Sequence, residues 1–279
     1  MIIEVSDSQK GPVRLAELCC GGAAVTLAAI RGDGERSRTL VSYMGNKRRY
    51  APQILGAMGI AGREIEAVLL CDSGPWGLVW KALTKPGAFD AVRSRILEFE
   101  GQHSRPLFDA LIAAGVPTDP TDFVAAYLLL QSGNAAARPV GVSGVDWVTH
   151  GYKEPKDLQR RVVPRMAAGR VTRASVEWPK EVEVFHGCVS DAPVEAFRPT
   201  HVYMDPPYAG TTGYGDDLPD KFIETIVGLD GLNGLESIGV SEGRDLGPPW
   251  RAVDISNVGK ENRTFTRSKR EILNLVTSR

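Results

Sequence analysis

The chain lacks most of the features that announce a function at first reading. Its 279 residues include four cysteines, Cys19, Cys20, Cys71 and Cys188, and no two of them form a CxxC pair. That excludes a zinc ribbon and fits a reduced, cytosolic chain without structural disulfides. The four histidines are far apart and show no metal-ligand spacing, so no metal is expected. No apolar run approaches the roughly 18 residues of a membrane span. The opening MIIEVSDSQKG has no basic-then-apolar pattern of a secretory signal. There is no GxGxxG, so a dinucleotide is not favoured. Net charge is -1, and bulk charge therefore points to no polyanionic partner.

What is present is an ordinary globular composition, 43% hydrophobic and 24% charged, with clear patterning. VRLAELCCGG (13–22) is a buried strand ending in a glycine turn, and AAVTLAAI (23–30) is a helix. A second helix starts near the lysine of GNKRRYAPQILGAMG (45–59). EIEAVLLCD (64–72) is a second strand and SGPWGLVWKAL (73–83) an amphipathic helix. Strands recur at 182–187, 201–205, 237–242, 251–257 and 270–278, with a helix at 221–229. Alternating strand and helix predicts an α/β fold, a parallel sheet with helices on both faces. Residues 84–180 break the alternation. They predict helices at 87–100 and 120–132, then a polar loop over 131–155. The expected organisation is one α/β domain made of 1–83 and 181–279, interrupted by a mainly helical and loop-like insert, 84–180.

Charge is unevenly spread. Segments 47–49, 156–173 and 260–270 hold 14 of the 33 lysines and arginines but only two acids, Asp157 and Glu261. Any one such cluster is as well explained by a solvated helix face. Three together lean toward a phosphate-binding surface.

In open parallel sheets ligands bind outside the carboxyl ends of the strands. Those ends carry Glu17, the Gly21-Gly22 turn, Asp72, the 186–191 segment and then DPPY, residues 205–208. The glycines permit close backbone approach to a ligand. Asp72 suits the hydroxyls of a ribose, or alternatively the start of the helix after it. In DPPY, Asp205 and the free carbonyl of Pro206 present two acceptors on a backbone stiffened by Pro206 and Pro207. Such a pair fits an exocyclic amine, and Tyr208 offers a face on which a base can stack.

DPPYAGTTGYG resembles the catalytic motif of Dam-like (D12 class) S-adenosylmethionine-dependent DNA adenine-N6 methyltransferases. YMGNKRRYAP (43–52) resembles their GNK-type motif, LAELCCGGAAVTLA their glycine-rich cofactor motif and LLCDSGPWGLVWKAL their acidic second motif. RTFTRSKREILNLVTS is similar to their closing segment. The resemblance implies a Rossmann-like methyltransferase sheet and transfer of a methyl group from S-adenosyl-L-methionine to an adenine flipped out of double-stranded DNA. It implies that Tyr43, Gly45, Asn46 and Lys47 hold the methionine end of the cofactor, with Glu17, Gly21 and Gly22 lining the same pocket. Asp72 would bind the ribose, Asp205 and Pro206 would orient the amine, and Tyr208 would stack on the base. Arg160, Arg161, Arg165, Arg170 and Arg173 become candidates for holding DNA, with Arg263, Arg267 and Lys269 beside them.

The sequence departs from that pattern in three places. The GNK segment follows the glycine-rich motif instead of preceding it, so the chain has to cross the sheet between the first two strands. Cys188 stands where an acid is usual, leaving either Asp191 or no residue to take that place at the cofactor adenine. The insert has no counterpart. DPPY alone also accepts cytosine N4, an RNA base or a modified base, and a non-catalytic nucleic-acid-binding relative would keep the same fold. A small-molecule methyltransferase would have no use for the three basic clusters.

Overall fold

A computed structural model describes residues 11–32, 38–41, 47–102, 104–134, 138–152, 164–206, 234–242, 244–255 and 271–277. The first unit is β1 (Val13–Leu18) and α1 (Ala24–Arg31), followed by a 3₁₀ turn at Lys47–Arg49, α2 (Ala51–Met58), β2 (Ile65–Asp72) and α3 (Pro75–Leu83). The insert supplies α4 (Ala88–Leu97), α5 (Ser104–Ala113), α6 (Pro120–Gly133), β3 (Gly141–Ser143), β4 (Asp146–Val148) and α7 (Pro164–Ala174). The sheet then resumes with β5 (Glu181–His186), a single helical turn α8 (Val194–Phe197), β6 (His201–Met204), β7 (Ser237–Glu242), β8 (Arg251–Asp254) and β9 (Ile272–Thr277).

The seven-stranded sheet has the order β5-β2-β1-β6-β7-β9-β8. Its first five strands are parallel, and β9 runs antiparallel to both β7 and β8. Apolar strands such as AVLL of β2 are buried because α1, α2 and α3 cover one face of the sheet and the turn α8, with Val189 and Trp250, covers the other. Along β1, Val13 and Leu15 face α1 and α2, whereas Ala16 and Leu18 face the opposite layer with Val194, Phe197 and Trp250. This is the doubly wound, Rossmann-like α/β arrangement expected from the sequence. Strand order reverses at β1, which has β2 on one side and β6 on the other, and at such a reversal open α/β sheets bind ligands in the crevice outside the strands' carboxyl ends.

Between α1, on β1 and β2, and α2 the chain moves across the sheet, with Gly45 and Asn46 outside the described residues. Helix α2 packs over β7 and β9, with Met58, Ile54 and Leu55 in one core with Tyr203 and Leu273. A Cβ on Gly239 would meet Met58 Sδ at 3.0 Å, so the glycine lets α2 lie close to the sheet.

The insert is more ordered than its sequence suggests. Helix α5 was not foreseen, although Leu107, Phe108 and Leu111 give it a buried face. The stretch expected to be loop contains the β3–β4 hairpin, docked by a hydrogen bond from Trp147 Nε1 to the Gly115 carbonyl at 2.8 Å. Helix α6 starts where Asp119 accepts from the Thr121 and Asp122 amides with Pro120 in the first turn. It is apolar almost all round because α3, α4, α5 and α7 pack against it. A single core runs from Val68 and Trp80 through Tyr127 to Val171, so α4, α6 and α7 are built onto the α3 side of the sheet. The expected helix at 221–229 lies outside the described residues.

Candidate active site

The glycine-rich turn after β1 is wound tightly. Cys19, Gly21 and Ala23 all have positive φ, at 55°, 45° and 46°. Two of them are not glycine, and such strain survives only where surrounding contacts impose it. Those contacts are visible. Asp72, at the tip of β2, accepts from the Gly21 amide through Oδ2 and from the Gly74 amide through Oδ1, both at 2.8 Å. Trp80 Nε1 donates to the Gly21 carbonyl at 2.6 Å, and the Cys20 amide donates to the Cys71 carbonyl at 2.9 Å. Asp72 therefore ties the turn to the start of α3, as its reading at the start of that helix expects. Burial raises its pKa, and the two amides pull it back.

Glu17 sits one layer deeper and is only 2% exposed. Its Oε2 accepts from the Thr26 amide at 2.7 Å, so it serves the open N-terminus of α1. Burial pushes its carboxyl up to about 7, against the hydrogen bonds from α1.

On the other side of the crevice the chain leaves β6 at Asp205. The Asp205 amide still bonds the Leu18 carbonyl at 3.3 Å, which fixes the residue against β1. Its Oδ1 lies 2.5 Å from Lys47 Nζ, and the same ammonium is 3.5 Å from Glu271 Oε1. Two motifs more than 150 residues apart thus meet in one ion pair. Burial pushes Asp205 up to about 6; Lys47 opposes this, and Glu271 and Glu242 reinforce it. Burial pulls Lys47 down, but Asp205 and Glu271 outweigh it and hold the ammonium above its ordinary value. Pro206 is buried directly beside this pair.

Glu242 and Glu271 were missed in the sequence. Glu242 ends β7 opposite Ile272, and Glu271 precedes β9. Because β9 is antiparallel, its beginning lies at the carboxyl ends of the parallel strands. An acid immediately before an apolar strand was the available signal, but strand direction could not be read.

The third wall carries sulfur. Cys71 Sγ lies 4.0 Å from the Gly187 carbonyl, and Ser190 Oγ donates to Cys188 Sγ at 3.1 Å and to Asp191 Oδ1 at 3.2 Å. Asp191 is thus on the same turn as Cys188, three residues on, and exposed. Burial pushes the Cys71 thiol up to about 12 and also raises Cys19 and Cys20, so these thiols are held in the protonated form. Gly77 closes this side: a Cβ there would lie 2.5 Å from the Asp72 carbonyl oxygen and 2.7 Å from His186 Cδ2.

Of the expected site, Glu17, Gly21, Gly22, Lys47, Asp72, Asp205 and Pro206 converge on this crevice, and Asp191 lies on its rim turn. Tyr43, Gly45, Asn46, Pro207 and Tyr208 lie outside the described residues, as do Arg160, Arg161, Arg263, Arg267 and Lys269. Arg165, Arg170 and Arg173 are on α7. Among the described residues no cluster of His, Cys, Asp and Glu has metal-binding geometry, and no helix is long and apolar enough to cross a membrane.

No protein-family model matches the chain, and no curated protein matches it. Among solved structures it is similar to the rRNA methyltransferase aviRa from Streptomyces viridochromogenes, at 14% identity and a TM-score of 0.36, covering 96% of this chain and 77% of that one. A likeness that distant carries no weight for this chain's chemistry.

Proposed function

We propose that the chain is an S-adenosylmethionine-dependent methyltransferase acting on the N6 amine of an adenine extruded from DNA. The observation that carries this reading is the contact of Lys47 with Asp205, which joins the GNK-like and DPPY segments at the reversal point of the sheet. The residues fit the cofactor chemically. Lys47 contacts Asp205 and Glu271, and Glu242 is close enough to raise Asp205, so three carboxyl groups share one lysine, an excess of negative charge that suits a sulfonium cation. Gly21, Gly22 and Asp72 would hold the nucleoside end, beside Asp191. Lys47 lies on Asp205 itself, so its part in holding the methionine end is indirect, through the placement of the segment that contains it. S-adenosylmethionine, when bound, supplies an electrophilic methyl group.

The chain's own task is to prepare the acceptor. An adenine amine is a weak nucleophile because its lone pair is delocalised into the ring. Asp205 and the Pro206 carbonyl accept from its two N–H groups and draw nitrogen toward tetrahedral geometry, which localises the lone pair. Lys47 keeps Asp205 ionised and aimed despite burial. Above about pH 6 Asp205 is a carboxylate and can take the proton that the amine must shed. No cysteine thiolate is required. Tyr208 would stack on the extruded base, and the basic face of α7 would hold the backbone.

The test is nucleoside mass analysis after incubating the protein with methyl-deuterated S-adenosylmethionine and either duplex DNA or structured RNA. Labelled N6-methyladenine from DNA is the expected product. Labelled N4-methylcytosine, or label in RNA only, would move the acceptor and leave the chemistry. Cofactor binding without any transfer would make the chain a binding module.

A further inference from the structure

Lys47 is a buried lysine in contact with two acids. It is 5% exposed, and its ammonium lies 2.5 Å from Asp205 Oδ1 and 3.5 Å from Glu271 Oε1. The two carboxylates reach it from strands of opposite direction. Asp205 leaves the parallel strand β6, and Glu271 enters the antiparallel strand β9. Glu271 is itself 7% exposed and is fixed by the sheet. Its carbonyl accepts from the Ile255 amide at 3.0 Å, and the next residue, Ile272, pairs with both Glu242 and Asp254. One carboxylate would balance Lys47 and close a neutral ion pair. The second acid leaves the group with a net negative charge where burial penalises charge.

Other groups face Asp205 as well. Glu242 acts on it from the end of β7 and Glu17 from β1, while burial keeps Tyr203 and Cys19 neutral. Glu17 is engaged by the Thr26 amide at the start of α1. Glu271 is set apart by its contact with the same ammonium that holds Asp205. That contact matters when Asp205 takes a proton. As the amine nitrogen bonds the methyl carbon, the electron pair of the broken carbon–sulfur bond stays on sulfur, and one N–H proton passes to Asp205. Asp205 is then neutral. A buried ammonium facing a neutralised partner loses the attraction that offset its desolvation. With Glu271 in contact, the ammonium keeps a carboxylate before and after the proton moves.

We infer that Glu271 is a positioning residue that shares the Lys47 ammonium with Asp205, so that Asp205 can accept the proton of the amine while Lys47 stays balanced. It acts through Lys47. This deepens the proposed function and rests on it for the reaction. Without Glu271, Lys47 and Asp205 would form a closed pair, in which Asp205 is a carboxylate but a poor base.

The experiment compares full-length wild type with Glu271→Gln, which keeps the shape of the side chain, with Glu271→Asp, and with an exposed charge control on the insert, Glu100→Gln. Ionisation of Asp205 is read from its carboxyl carbon in aspartate-labelled protein by carbon-13 NMR, with Asp205→Asn to assign the resonance. Methyl transfer to duplex DNA is read as a pH–rate profile, with kcat and KM separated. In Glu271→Gln the Asp205 titration and the acid limb of the rate should both fall from about 6 by about one pH unit. The plateau kcat should fall about threefold with KM unchanged, because the base is weaker. Glu271→Asp retains the charge and should restore both toward wild type, and Glu100→Gln should change neither. A lower kcat with an unmoved limb marks a merely structural acid and overturns the inference. An Asp205 titration that moves up in Glu271→Gln also overturns it, since Glu271 would then serve only to keep Lys47 in place. Wild-type transfer with an Asp205 titration that ignores Glu271 removes the inference and leaves the proposed function. A titration that follows Glu271 in a protein that transfers nothing removes the function and leaves the shared lysine.

Discussion

Replacing Lys47 by methionine keeps the volume of the side chain and deletes the ammonium that contacts both Asp205 and Glu271. Two unit charges about 4 Å apart attract by about 4 kcal/mol at an effective dielectric of about 20. Removing one partner of a buried pair costs about 3–5 kcal/mol, because the other is left uncompensated. Asp205 can escape part of that cost by taking a proton. Losing an opposite charge at this range raises a carboxyl pKa by about 1–3 pH units, or about 1.4–4 kcal/mol, so the two routes agree in size. The wild-type rate should rise with pH through about 6, as Asp205 ionises. In Lys47→Met that acid limb should move up by about 1–3 pH units. Stability should fall most at pH 8.5, where the buried carboxylate is forced to ionise, and recover toward pH 5.5. The assays are a pH–rate profile from 5 to 9 and chemical denaturation at those two pH values. An acid limb that stays near 6 in the variant would show that Lys47 does not govern Asp205. Loss of cofactor affinity with an unshifted limb would return Lys47 to a direct cofactor role.

Three further outcomes follow from the same geometry. Glu17 is pushed from 4.5 to about 7, so between those values the folded chain binds a proton that the unfolded chain has lost, and stability falls as pH rises through this window by about 3 kcal/mol; Glu17→Gln should flatten that dependence in urea titrations, and a slope equal to wild type would contradict the assignment. Asp72→Ala strands the Gly21 and Gly74 amides at about 1–3 kcal/mol each, and should weaken S-adenosylmethionine binding about tenfold or more by calorimetry. Gly77→Ala drives a methyl group into the Asp72 carbonyl and should lower stability by about 1–3 kcal/mol, which an unchanged Tm would refute.

Much of this site was legible because parallel strands advertise themselves. The apolar runs ending at Glu17, Asp72 and Asp205 gave strand, direction and tip in one pattern, and the three tips do meet. The displaced GNK segment was legible as a motif but not as a position. Only the packing of α2 over β7, with Gly239 giving way to Met58, explains how Lys47 reaches Asp205. Glu271 was hidden by strand polarity, since an acid before a strand reaches the crevice only if that strand runs backwards. Helix α5 was overlooked because its buried face is three residues wide, Pro106 stands in its first turn, and Pro117 and Pro120 follow it. Asp72 shows the opposite case: the reading at the start of α3 was legible, and the second amide it holds, that of Gly21, was not.

The central claim is that Asp205 prepares the acceptor amine and does not hold the cofactor. It is tested most directly by Asp205→Ala, with S-adenosylmethionine affinity measured by calorimetry and transfer to DNA measured by nucleoside mass analysis on the same preparation. The account predicts cofactor affinity within a few-fold of wild type and no detectable methylated nucleoside. Transfer at a rate near wild type would contradict it.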